Sequence, residues 1–132
     1  MVQPTLILTQ SDLRGLVCRA DYLRAVEDGF RASAEGRAHS PQPLHIETDG
    51  GGLHGKGALL IGDRTYLAVK VNSNFPANAR LGELPTIQGA LFLFDGSNGA
   101  LLAIMDSIEL TVMRTAAATA LAAKYLAREG SR

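Results

Sequence analysis

The sequence has no excess charge of either sign: thirteen Lys and Arg balance thirteen Asp and Glu across 132 residues. With no surplus of cations to neutralise phosphates, a nucleic-acid partner is not expected. Tryptophan is absent, so large aromatic anchors are few. The single cysteine, Cys18, rules out an intrachain disulfide and suits a reducing compartment. Its amphipathic surroundings predict a buried, inert thiol. No apolar run approaches the ~20 residues needed to span a bilayer. The opening stretch MVQPTLILTQSDLRG lacks a basic region followed by an apolar one. A cytoplasmic chain without membrane contact is therefore expected. His45 and His54 have no further His, Cys or carboxylate at coherent spacing, so a metal site is not expected either.

What is present suffices for one domain: apolar residues make up 46% of the chain, enough for one core but not two. Thr5–Thr9 reads as a short strand, and Ser11 or Asp12 as the cap of a helix reaching Cys18. Asp21 is a candidate cap for a second helix, with Leu23, Val26 and Phe30 at helical spacing and Gly36 as its stop. After the helix-breaking SPQP, the pattern turns to strands. Leu44–Thr48, Leu53–Ile61 and Tyr66–Val71 follow one another, the first pair joined by a turn at Asp49–Gly52. In the last of them Leu67, Val69 and Val71 share one face, with Lys70 and Asn72 on the other.

Residues 72–85, dense in Asn, Pro and Gly, read as a long loop. Thr86–Asp95, the turn Gly96-Ser-Asn-Gly99 and Ala100–Met105 form the clearest hairpin. Both its arms are apolar at almost every position, so both faces should be covered, by helices on one side and by a subunit or barrel closure on the other. A long Ala-rich helix over 108–128 completes the chain. The fold class expected is α+β, a mostly antiparallel or barrel-like sheet with N-terminal helices and a long C-terminal helix.

Few residues suggest chemistry. On pattern alone Lys70 is a solvated edge lysine or a cation aimed into a cleft. Arg114, flanked by apolar residues, needs an anion, either an internal carboxylate (Asp95, Asp106 or Glu109) or a ligand carboxylate or phosphate. His54 and Lys56 lie two apart on one strand and so share a face, as an anion site or as ordinary exposed residues. The glycines at 50–52 lack the spacing of a phosphate loop.

Residues 84–128, LPTIQGALFLFDGSNGALLAIMDSIELTVMRTAAATALAAKYLAR, resemble the ornithine cyclodeaminase/mu-crystallin family. The segments AVKVNSNFPAN (68–78) and TQSDLRGLV and the Gln42-Pro43 pair extend the likeness over nearly the whole chain. The resemblance implies a substrate-binding domain, residues 1–132, that also forms a homodimer or higher oligomer. It implies a separate Rossmann domain for NAD(H) or NADP(H), expected after this chain together with the acid/base aspartate. The fragment is accordingly expected to be inactive alone and to bind neither cofactor tightly.

By the same resemblance Lys70 and Arg114 bind the carboxylate of an amino or imino acid, with Arg114 near the nicotinamide, and Thr86 touches the dinucleotide. Members of the family carry an arginine two residues after the Gln-Pro pair, where this chain has His45; His54 and Lys56 would supply the charge so lost. The activity implied is that of an ornithine cyclodeaminase. Pyrroline-2-carboxylate (ketimine) reductase, alanine dehydrogenase and a non-catalytic mu-crystallin-like module are the alternatives.

Overall fold

The computed structural model describes residues 4–82 and 84–131. The first strand, β1 (Leu6–Leu8), is followed by helices α1 (Gln10–Leu16) and α2 (Arg19–Ala34). Thr9, one residue before α1, accepts from the Asp12 N–H at 3.2 Å, and the Asp12 carboxylate accepts from the Thr9 N–H at 2.8 Å. Asp12 is thus the reciprocal half of a capping box rather than the cap itself. In α2 the cap is Cys18, and Asp21 reaches back to its N–H at 3.0 Å. That position leaves the Cys18 thiol exposed, which corrects the expectation of a buried one. Gly36, at φ 73°, closes the helix where a side chain would be strained.

Strands β2 (Ala38–His39), β3 (Leu44–Thr48), β4 (Gly51–Leu60) and β5 (Tyr66–Asn74) come next, then a helical turn α3 (Asn78–Leu81). Strands β6 (Ile87–Asp95) and β7 (Leu101–Asp106) and the long α4 (Ser107–Leu126) complete the order. The seven strands form one open sheet, β1-β7-β6-β5-β4-β2, with β3 also on β4. All pairs are antiparallel except β1 with β7. The fold is the α+β arrangement expected, with an open sheet in place of a barrel.

Two strands outrun their expected limits. β5 continues three residues past Val71, because Asn72, Ser73 and Asn74 pair with Gly89, Gln88 and Ile87. Gly51 and Gly52 join β4 opposite Thr48 and Glu47, leaving a two-residue turn at Asp49-Gly50.

Helices cover one face of this sheet. α4 packs on β5 and β6, and α2 packs on α4. The core between them includes Leu13, Tyr22, Ala32, Ala103, Ala117 and Leu121, with Ala117 giving close helix approach. Here α2 is rotated from the expected facing: Tyr22 and Ala32 are buried while Phe30 is 61% exposed. Glu27 turns to α4 instead, where it accepts from the Tyr125 hydroxyl and lies 3.6 Å from Lys124. The other face of the sheet carries Leu44, Ile46, Leu67 and Val69, which are 39% to 57% exposed.

Candidate functional site

β5 is an internal strand, flanked by β4 and β6, so Lys70 is not an edge lysine. Its side chain stands on the helix-covered face, where Nζ donates to Thr111 Oγ1 of α4 at 3.3 Å. Burial holds the Lys70 ammonium below its ordinary pKa, and the positive charges of Arg114 and Lys56 lower it further. Arg114 lies three residues after Thr111, hence on the same side of α4, but it is exposed, so solvent removes the need for an anion partner that its apolar sequence neighbours suggested. The three internal carboxylates that could have neutralised it are engaged elsewhere. Asp95 pairs with Arg64 at 2.6 Å, Glu109 pairs with Arg14 at 2.8 Å, and Asp106 caps α4 by accepting from the Ile108 N–H.

Strand pairing extends the cluster. Lys56 sits directly across from Lys70, and His54 across from Asn72. His45 on β3 is the register partner of His54, and the two Nδ1 atoms lie 3.0 Å apart with the rings edge to face. These residues line an open cleft of about 220 Å³ with Pro43, Asn72, Ser73, Asn74 and Ile87. No Asp or Glu is among the described lining residues. Lys70, Lys56, His54 and His45 are thus brought together, and Arg114 flanks them without lining the cleft. Thr86 adjoins Ile87 at the cleft's end, its carbonyl accepting from the Phe75 N–H at 2.9 Å.

The pieces that fix this geometry were not legible as site residues in the sequence. Asn72 is buried, and its Oδ1 accepts from the Ser107 hydroxyl at 2.6 Å; Ser107 has no exposed surface. That bond ties β5 to the start of α4, the two elements that carry Lys70 and Arg114. Opposite Asn72 is Gly89, where a Cβ would collide with the Val71 carbonyl and the Asn72 side chain. The signal available was the strand alternation, which puts residue 72 on the face of residue 70.

The described residues offer a dinucleotide little. Two strands run directly into helices, β1 into α1 and β7 into α4, through Thr9 and through the Asp106-Ser107 step. Neither junction contains a glycine that would let a pyrophosphate approach the backbone. No helix among the described residues is long and apolar enough to cross a membrane, and none of them forms a cluster of three or more metal-ligating side chains.

A helix-backed, mostly antiparallel sheet thus carries on its covered face an open cleft of Lys and His whose described lining holds no carboxylate. Residues 3–132 match the ornithine cyclodeaminase/mu-crystallin family, and the chain belongs to that family. It is 39% identical over 127 residues to alanine dehydrogenase of Archaeoglobus fulgidus, covering 96% of this chain and 38% of that one. An archaeal alanine dehydrogenase dimer with bound NAD superposes with a TM-score of 0.89 at 38% identity, over 96% of this chain and 38% of that one. The Thermococcus litoralis pyrroline-2-carboxylate reductase, in complex with NADH and L-proline, also gives 0.89, at 37% identity over 97% and 40%. The chain therefore spans about two-fifths of the length of these relatives.

Proposed function

We propose that residues 1–132 are the substrate-binding and dimerisation domain of a longer NAD(P)-dependent enzyme acting on an amino or imino acid. The observation that carries this reading is the Lys70–Arg114 pair, without a salt bridge among the described residues, beside a cleft whose described lining holds no carboxylate. Lys70 and Arg114 hold the substrate carboxylate, so that the neighbouring carbon is oriented towards the nicotinamide. The cofactor, when bound, accepts or supplies a hydride there. Thr86 and Arg114 are its contacts from this domain, and the rest of its site lies outside this chain. Alone, the chain binds NAD(H) negligibly and has no activity.

Within the family, the site favours a dehydrogenase or imine reductase over a cyclodeaminase. A diamino acid brings a second cationic amine, and the described lining offers it two lysines and no carboxylate, with only the neutral Asn72, Ser73, Asn74 and the two histidines as acceptors. The exposed apolar face is the dimer surface, consistent with the dimeric archaeal relative. The setting is the cytoplasm.

The full-length protein is assayed with pyruvate, ammonium and NADH, with pyrroline-2-carboxylate and NADPH, and with L-ornithine and NAD. NADH or NADPH consumption in either of the first two supports the reading. Replacing Lys70 by Met then lowers kcat/KM by about a hundredfold or more, as expected for a desolvated charge pair. Proline and ammonia from ornithine without net cofactor turnover would make it a cyclodeaminase instead. No turnover with any of them would contradict the reading.

A further inference from the structure

Asn72 is a buried side chain with one end of its carboxamide in use. It stands on the helix-covered face of β5, two residues from Lys70, and is 9% exposed. Its Oδ1 accepts from the Ser107 hydroxyl at 2.6 Å. Among the described residues nothing accepts from its Nδ2, which carries two donor hydrogens. The described side-chain atom that is fully enclosed and without a partner is the Tyr22 hydroxyl, so the Asn72 nitrogen is not sealed off. It opens on the cleft that Asn72 lines together with Lys70.

Ser107 decides which end of the carboxamide faces the cleft. It has no exposed surface, and among the described residues Asn72 is the acceptor for its hydroxyl. Turning the carboxamide over would let the serine oxygen accept instead. The buried hydroxyl hydrogen would then lose its acceptor where water does not reach it. Gly89, opposite Asn72, leaves the carboxamide its room, since a Cβ there would lie 2.5 Å from Oδ1. The two donors in a row along the strand are therefore Asn72 Nδ2 and Lys70 Nζ. Ser107 meets the first, and Thr111, one turn further along α4, meets the second. Four residues of helix and two of strand both advance about 6 to 7 Å, which sets the scale of the gap between them. Hydrogen bonds of about 2.9 Å from either side let adjacent acceptors of one small acid span that gap.

We propose that Asn72 is a specificity-determining residue of the substrate site, its Nδ2 donating to an acceptor on the carbon next to the carboxylate. The inference rests on the proposed role of Lys70 and Arg114 as the carboxylate clamp. A 2-oxo oxygen or an unprotonated imine nitrogen at that carbon accepts from the amide. A methylene leaves the amide unpaired, and an ammonium sets donor against donor.

Pyruvate and propionate, at matched ionic strength, are titrated into the chain while the side-chain NMR signals of Asn72 and Lys70 are followed. Pyruvate binds tighter by about fivefold or more, as expected for a hydrogen bond made in one complex and missing from the other. The carboxamide protons of Asn72 shift with pyruvate and hold still with propionate, whereas Lys70 responds to both. In Asn72→Leu the two affinities come within about twofold of each other. An Asn72 that only ties β5 to α4 would, on substitution, weaken both acids alike and leave their ratio unchanged, which would overturn the inference. Equal affinities in the unsubstituted chain, or Asn72 signals that ignore pyruvate, overturn it without any variant.

The same titration separates this inference from the proposed function. A Lys70 that responds to both acids at equal affinity overturns the inference and leaves the carboxylate clamp standing. An Asn72 that responds to pyruvate while Lys70 ignores both acids overturns the clamp and leaves the Asn72 donor standing. Silence of both signals with both acids overturns the two together.

Discussion

On the helix-covered side of the sheet, β4 and β5 present His54, Lys56, Lys70 and Asn72; on the other side the same strands present Leu59, Leu67 and Val69. One side is charged and held under α4, whereas the other is apolar and open. Nothing but the two-residue alternation of a strand separates them. A slip of one residue in the β4–β5 register would turn one strand over relative to the other, sending one of the two lysines to the apolar side and that strand's apolar residues into the cleft. Pairing on both flanks of β5, and the Asn72–Ser107 bond at its end, hold the register that keeps anion binding and association apart.

Substitutions that strike one face and spare the other put this contrast at risk. The largest effect is expected on the covered side. Gly89→Val places a side chain against the Val71 carbonyl and Asn72, where backbone must move. A loss of about 4 kcal/mol and a fall in Tm of more than about 10 °C are expected by calorimetry. On the open side, Val69→Glu puts a charge where the proposed dimer is apolar. A dimer weakened by about a hundredfold or more should appear in light scattering, with Tm of the monomer little changed. A variant that stays as dimeric as the original chain would place the interface elsewhere.

Ser107→Ala removes the donor to buried Asn72. About 2 kcal/mol should be lost, because the orphaned oxygen stays away from water. Loosening between β5 and α4 should also weaken anion binding. The smallest effect lies far from both faces, at the β6–β7 turn. Hydrogen bonds from Ser97, with Arg64 in support, hold the Asp95 carboxyl down at about 2. A depressed carboxyl stabilises the fold fully above its unfolded value, near 3.8, and that contribution is lost as pH falls towards about 2. In Asp95→Asn that part of the acid dependence between about pH 4 and about pH 2 should disappear from unfolding curves.

Much of the architecture was legible because periodicity reports one strand or helix at a time. The hairpin of β6 and β7, the long α4 and the alternation through Lys70 are local patterns, and the structure contains each. The misreadings arose where a local signal was outvoted by pairing. Asn72-Ser-Asn74 has loop composition, yet three partners on β6 keep it in the sheet. Phe30 belongs to the helical row at the spacing of Leu23 and Val26, yet Tyr22, beside Ala116, Ala117 and Ala120 of α4, is the more deeply buried, and Phe30 stays 61% exposed. Cys18 looked buried because a helix cap lies at a junction that spacing alone does not reveal. The cationic cluster was half legible. His54 and Lys56 share a strand face by spacing, but their meeting with His45 and Lys70 depends on the register of three strands.

For a cleft that takes up an anion among its own positive charges, Lys70 is the most direct reporter. Without an anion its ammonium should titrate below the ordinary value of 10.5, because burial, Arg114 and Lys56 all disfavour the charged form. Direct NMR detection of the Lys70 side-chain nitrogen, with and without saturating propionate, measures this. The Lys70 pKa should be depressed in the free chain and should rise towards the ordinary value when the carboxylate binds. A Lys70 that titrates normally, or one whose titration ignores the carboxylate, would contradict anion binding at this cleft.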